Sequence, residues 1–220
     1  MKRIYKDIIL STEYKKCVDK FTGDHEPYKS DNKFGKQHYL DIKMSLFHCQ
    51  NGLCAYTEEK LCDEELFDSS KWVDGKYIEL SDNIYTRGDL EHFNPELKET
   101  KGWLWDNLLM IDSNVNREKR AKPINPILKP DSATYDENKY LSYNHKINQF
   151  YPNDLLTDKE KKDVKYMIET LGINNVVRRN DLIKELVEAH KYGLLEFEEE
   201  PKEYITAWKM TKQNLKKASQ

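Results

Sequence analysis

Long apolar runs are missing from this chain of 220 residues. None approaches the ~20 consecutive apolar residues that cross a bilayer as a helix, so no membrane association is expected. The opening Met1-Lys-Arg-Ile-Tyr-Lys6 is charged and lacks a signal-peptide core, which argues for a cytoplasmic protein. Net charge is almost absent as well, at −3 from 36 basic and 39 acidic residues. Contact with nucleic acid would therefore need a local basic face rather than an overall field. The four cysteines form no Cys-x-x-Cys pair, the knuckle that positions tetrahedral zinc. His48, Cys49, Cys54 and Cys62 accordingly read as ordinary side chains in a reducing compartment, with the thiols buried. No fixed period repeats, which excludes a solenoid.

What is present is charge of both signs, in 34% of residues, over a hydrophobic class of 38% and aromatics at 11%. That supports a packed core under a highly charged surface. The length suits one domain over 1–220. Residues 1–23 read as a short strand and helix or as one amphipathic helix, and 24–36 as a polar loop. Tyr39, Ile42, Leu46 and Cys49 recur at helical spacing. Residues 76–80 read as extended, bounded by turns at Asp74-Gly75 and Ser81-Asp82-Asn83. Three prolines in 122–130 exclude a regular helix there, and 131–155 reads as irregular or short-strand structure.

The last third is the most helical. Thr157-Asp-Lys-Glu160 is a capping box, followed by the apolar face Val164, Met167, Ile168 and Leu171 and a stop at Gly172. Asn180 or Asp181 is expected to cap a second helix ending at Gly193. Pro201 would sit in the first turn of a third. The apolar stripes of these helices could finish the core or dock a partner, and Trp208 on the third, exposed by its pattern, is a reasonable anchor. Trp103 and Trp105, by contrast, read as core.

Chemistry concentrates in residues 88–120. Leu90-Glu91-His92-Phe93 has strand character, and alternation sends Glu91 and His92 to opposite faces. They share a site only if the strand ends there and the chain turns, as Asn94-Pro95 allows. Leu108-Leu-Met-Ile111 reads as a returning strand. Asp112 or Ser113 would cap a helix over 114–120, whose first turn would bring Asn116 and free N–H groups toward a phosphate. A neutral imidazole can take a proton from water near neutral pH. A carboxylate and an amide suit Mg²⁺, or Mn²⁺, which keeps few protein ligands. Arg117, Lys119 and Arg120 would contact phosphates. The expectation is a one-metal site for phosphodiester hydrolysis on a strand–strand–helix unit over about 85–121. Helices flank it at both ends, with the C-terminal helical region at about 155–218. The fold class is α+β, mostly helical.

Cys54-Ala-Tyr-Thr-Glu58, Glu91-His-Phe-Asn-Pro95, Trp105-Asp-Asn-Leu108 and Asn116-Arg-Glu-Lys119 together resemble the HNH endonucleases with their ββα-metal core. Within them the chain resembles the PtuB-like family, the nuclease subunit of Septu anti-phage systems and related retron operons. Asn125-Pro126 and Leu171-Gly-Ile-Asn174 extend the likeness, which spans roughly 45–185. The resemblance implies His92 as general base, Asn107 as the residue fixing the orientation of His92, and Glu91 and Asn116 at the metal. Glu58 lies beside the active site in that family and is a secondary candidate. The likeness also implies a DNA substrate and a PtuA-like ABC-type ATPase partner. Family members often carry two Cys-x-x-Cys pairs holding a structural zinc. Here the pairs read Cys54-x-x-Thr57 and Asp112-x-x-Val115, so zinc is not expected. Two other readings stand beside this one: an adaptor of the same fold with a degenerate site, and a nuclease acting on RNA such as a transfer RNA.

Overall fold

A computed structural model describes residues 1–23, 25, 27–28, 33–78, 86–194 and 199–218. The turn expected at Ser81-Asp82-Asn83 and the last two residues of the extended stretch 76–80 lie outside the described residues, as does part of the loop at 24–36. The chain divides into two compact units. Both mix helices with two-stranded antiparallel ribbons, an α+β arrangement in which helix predominates.

One unit comprises Ile4–Ala55 and Lys60–Ile124. Its helices are α1 (Thr12–Val18), α2 (Lys33–Gln50), α3 (Glu64–Phe67) and α4 (Ser113–Lys119). Its strands are β1 (Trp72–Val73), β2 (Lys76–Tyr77), β3 (Asp89–His92) and β4 (Leu108–Ile111). The Asp74-Gly75 turn joins β1 to β2, as expected, with both residues at positive φ. No strand precedes α1 among the described residues. Helix α2 begins at Lys33, inside the stretch read as a polar loop.

All four residues of β4 are fully buried, which a continuous apolar run makes possible. Helix α2 supplies one cover, with Ile42, Met44, Leu46 and Phe47 all solvent-inaccessible. Gln50 at its end satisfies the free side of the strand. Its Oε1 accepts from Met110 N at 2.9 Å, and its Nε2 donates to Met110 O at 2.8 Å. Trp103 and Trp105 are buried, and Trp105 Nε1 donates to Lys6 O at 3.1 Å.

The other unit comprises Met1–Arg3, Tyr56–Glu59 and Asn125–Gln220. It holds α5 (Glu137–Tyr140), the hairpin β5 (Leu141–Asn144) and β6 (Gln149–Pro152), α6 (Asp158–Thr170), α7 (Val177–Lys191) and α8 (Ile205–Ala218). The Thr157–Glu160 capping box forms in both directions, and Gly172 at φ +61° follows the helix. Three expectations fail here. Helix α7 starts at Val177, not at Asn180 or Asp181, because Arg179 belongs to the core: its guanidinium donates to Ile173 O at 2.7 Å and its Nε to Asn148 Oδ1 at 2.8 Å. Helix α8 begins at Ile205, past Pro201. Trp208 is fully buried, with its indole N–H on Glu199 O, and offers no anchor. Among the described residues no helix is long and apolar enough to cross a membrane.

Candidate active site

Strands β3 and β4 pair antiparallel with Glu91 opposite Leu109 and His92 opposite Leu108, and α4 follows directly and packs on β3. The strand ends at His92, and a 3₁₀ turn starts at Pro95. Glu91, His92 and Asn116 then line one cavity of about 290 Å³, together with Tyr28, Pro95, Lys98 and Arg120. Four residues singled out in the sequence, Arg120 among them, are thus brought together.

His92 is 6% exposed. Its Nε2–H donates to Gly102 O at 2.7 Å, which leaves Nδ1 as the nitrogen with a lone pair. Tyr28 packs edge-on against the ring at 4.8 Å. Burial pushes the imidazole pKa down to about 4, aided by the charges of Lys98 and Lys119 and opposed by the bond to Gly102. The ring is therefore neutral at pH 7.

Asn107 acts at one remove. Its side chain does not hold the His92 ring; the ring is held by the Gly102 carbonyl. The amide of Asn107 is instead spent on the backbone of Asn94, accepting from Asn94 N at 2.7 Å and donating to Asn94 O at 2.9 Å. Phe93 N also donates to Asn107 O at 2.8 Å. Asn107 thereby fixes the turn that ends β3.

Lys119 is a correction. It is fully buried and cannot reach a bound phosphate: its Nζ lies 2.5 Å from Glu91 Oε1 and donates to His92 O at 3.1 Å. Arg117 is exposed and donates to Asn114 Oδ1 at 2.7 Å. Arg120 lines the cavity and ends α4 at φ +50°, an uncommon conformation for a residue with a side chain. Of the basic cluster at the end of α4, Arg120 is the member that faces the site, and Lys98 joins it from the loop after β3.

The start of α4 is not an anion site. The Asp112 carboxylate caps it, accepting from Asn114 N at 2.8 Å and Val115 N at 3.4 Å, so a carboxylate already fills that place. Cys54 Sγ accepts from Asp112 N at 3.3 Å. Glu58, the secondary candidate, is buried in the other unit. Its Oε2 accepts from Thr206 N at 2.8 Å and its Oε1 lies 2.9 Å from the Met1 amine, a structural role.

Two residues escaped the sequence reading. Gly102 supplies the carbonyl for His92, and a Cβ there would stand 2.2 Å from Tyr28 N. Asp89 accepts from Asn116 Nδ2 at 3.1 Å. It stands two residues before Glu91, on the same face of β3, and that alternation was the available signal. Glycine at position 102 carried no signal of its carbonyl's role.

Among the described residues no group of three or more His, Cys, Asp and Glu side chains is placed to hold a metal. Around the cavity the available donors are the Glu91 carboxylate and the Asn116 amide oxygen, hard atoms that fit Mg²⁺ or Mn²⁺ and not a thiophilic ion. One oxygen of Glu91 is already paired with Lys119. The chain matches no protein-family model and no curated protein sequence.

Proposed function

We propose that this chain is a metal-dependent endonuclease of HNH type that hydrolyses phosphodiester bonds, with DNA the favoured substrate. The observation that carries the reading is the convergence of Glu91, His92 and Asn116 on one cavity, with Arg120 and Lys98 in its wall. Neutral His92, fixed through Nε2, takes a proton from the attacking water at Nδ1. Its basicity is weakened by burial, and an anionic phosphate entering the cavity would raise it. Arg120 and Lys98 bind the phosphate. Glu91 and Asn116 would hold the divalent cation, which supplies neutralisation of charge growing on the phosphate and leaving oxygens. Asn107, through Asn94, and Gly102, through the ring nitrogen, keep His92 in place.

The further assignment, to an effector of anti-phage defence acting with a PtuA-like ABC-type ATPase, rests on the resemblance to the PtuB-like family. A second reading has an observation in its favour: Lys119 already occupies the Glu91 carboxylate, as expected of an adaptor whose metal site is degenerate.

The test is incubation of plasmid DNA and of total RNA with wild type and His92→Ala, in Mg²⁺ or EDTA, with and without the ATPase. Metal-dependent cutting that disappears in His92→Ala supports the nuclease, and the polymer consumed names the substrate. Wild type and mutant equally inert in every mixture, while the ATPase still binds, favours the adaptor.

A further inference from the structure

Lys119 is the side chain that the proposed chemistry leaves without a task, and its surroundings are unusual. A lysine is almost never fully buried unless paired. This one is completely enclosed at the end of α4 and divides its ammonium between the Glu91 carboxylate and the His92 carbonyl. It grips two consecutive residues of β3, the proposed metal carboxylate and the backbone of the proposed base. The ammonium therefore neutralises a buried carboxylate that would otherwise be expensive to keep charged.

We propose that Lys119 is a built-in counter-ion of the catalytic carboxylate. It holds Glu91 in place when no metal is bound, and it competes with the divalent cation for the Glu91 oxygen, so it sets the metal concentration at which the site loads. This rests on the reading of Glu91 as a metal-site residue. A carboxylate already satisfied by an ammonium binds a second cation only by giving up that bond. Removing the ammonium takes away the cation held at Glu91 Oε1 and makes that oxygen a stronger ligand. The device differs from a phosphate-binding lysine, which would be exposed and would act on substrate affinity.

The test uses Mn²⁺ alone as the probe, its free concentration read by electron paramagnetic resonance, with no nucleic acid present. Lys119→Met retains the length and apolar stem of lysine without the charge. It is expected to bind Mn²⁺ about ten-fold more tightly than wild type, and Lys119→Met with Glu91→Gln is expected to lose the gain. A purely structural lysine would give equal or weaker binding in Lys119→Met, and that result overturns the proposal. So does a gain that survives Glu91→Gln. Neither outcome touches the nuclease reading, which stands or falls on cleavage by wild type and His92→Ala. If Lys119→Met does not fold, the wild type carries the test. Mg²⁺ must shift the ¹⁵Nζ resonance of Lys119 on binding, and an unmoved resonance at saturating metal contradicts the competition.

Discussion

The side chain of Asn107 binds both polar groups of the Asn94 backbone, N–H at 2.7 Å and C=O at 2.9 Å. One amide thus replaces the strand partner that Asn94 no longer has once β3 has ended. Asn107→Ala leaves that turn unbraced, and two hydrogen bonds at a largely buried site amount to about 2–3 kcal/mol. Urea denaturation is expected to show that loss. Asn107→Asp keeps the acceptor for Asn94 N–H but puts a carboxylate against the Asn94 carbonyl, so it too destabilises.

Gly102 holds the ring of His92 through its carbonyl, and the backbone of Tyr28 leaves no room for a side chain beside it. Gly102→Ala must displace one strand of the loop. A shift of about 1 Å in a catalytic group costs on the order of 10²-fold in rate. The proposed nuclease activity is expected to fall by about that factor while circular dichroism shows the fold retained.

His92 supplies a pH dependence of stability. Its folded pKa is about 4, against an ordinary 6.5, with burial the main cause. The unfolded chain binds a proton there below pH 6.5 and the folded chain does not until about pH 4. Stability is therefore full above 6.5 and lost as pH falls through that window, by roughly 3 kcal/mol at most. Replacing the ring with an uncharged one, His92→Phe, is expected to flatten the acid limb of a stability–pH curve. Proton NMR of the His92 ring should show no titration near pH 6.5.

Arg120 and Arg117 separate by position. Arg120 lines the cavity, whereas Arg117 is exposed and engaged with Asn114. Arg120→Ala is expected to weaken binding of DNA and lower the slope of affinity against salt by about one. Arg117→Ala should change the slope by less, as fluorescence anisotropy over a salt series would register.

Local signals carried part of this fold a long way. The Thr157–Glu160 capping box, the Asp74-Gly75 turn and the two strands flanking the site are contained in short stretches, and they formed where the chain chemistry placed them. Signals misled where distant residues decided the outcome. Asn180 and Asp181 have the chemistry of a cap, yet Arg179 is drawn into the core by Asn148 and Ile173, so α7 begins before them. Trp208 sits on an amphipathic pattern that does not reveal what covers it. Within the site, Glu91, His92 and Asn116 were legible because their types are uncommon together. Lys119 departs from the expectation because a basic run looks like a phosphate contact until its buried partner is known. Gly102 was invisible because a backbone carbonyl leaves no trace in residue type.

Central to the proposed function is that Glu91, His92 and Asn116, which line one cavity, act as one metal-dependent hydrolytic site. Its most direct test is the conversion of supercoiled plasmid to nicked or linear DNA by wild type, Glu91→Gln, His92→Ala and Asn116→Ala, each shown to be folded, in Mg²⁺ with the proposed ATPase partner present. The expected result is cutting by wild type that EDTA stops and that each substitution lowers by at least about 10²-fold. Cutting by wild type that persists unchanged in His92→Ala, or that ignores EDTA, would contradict it.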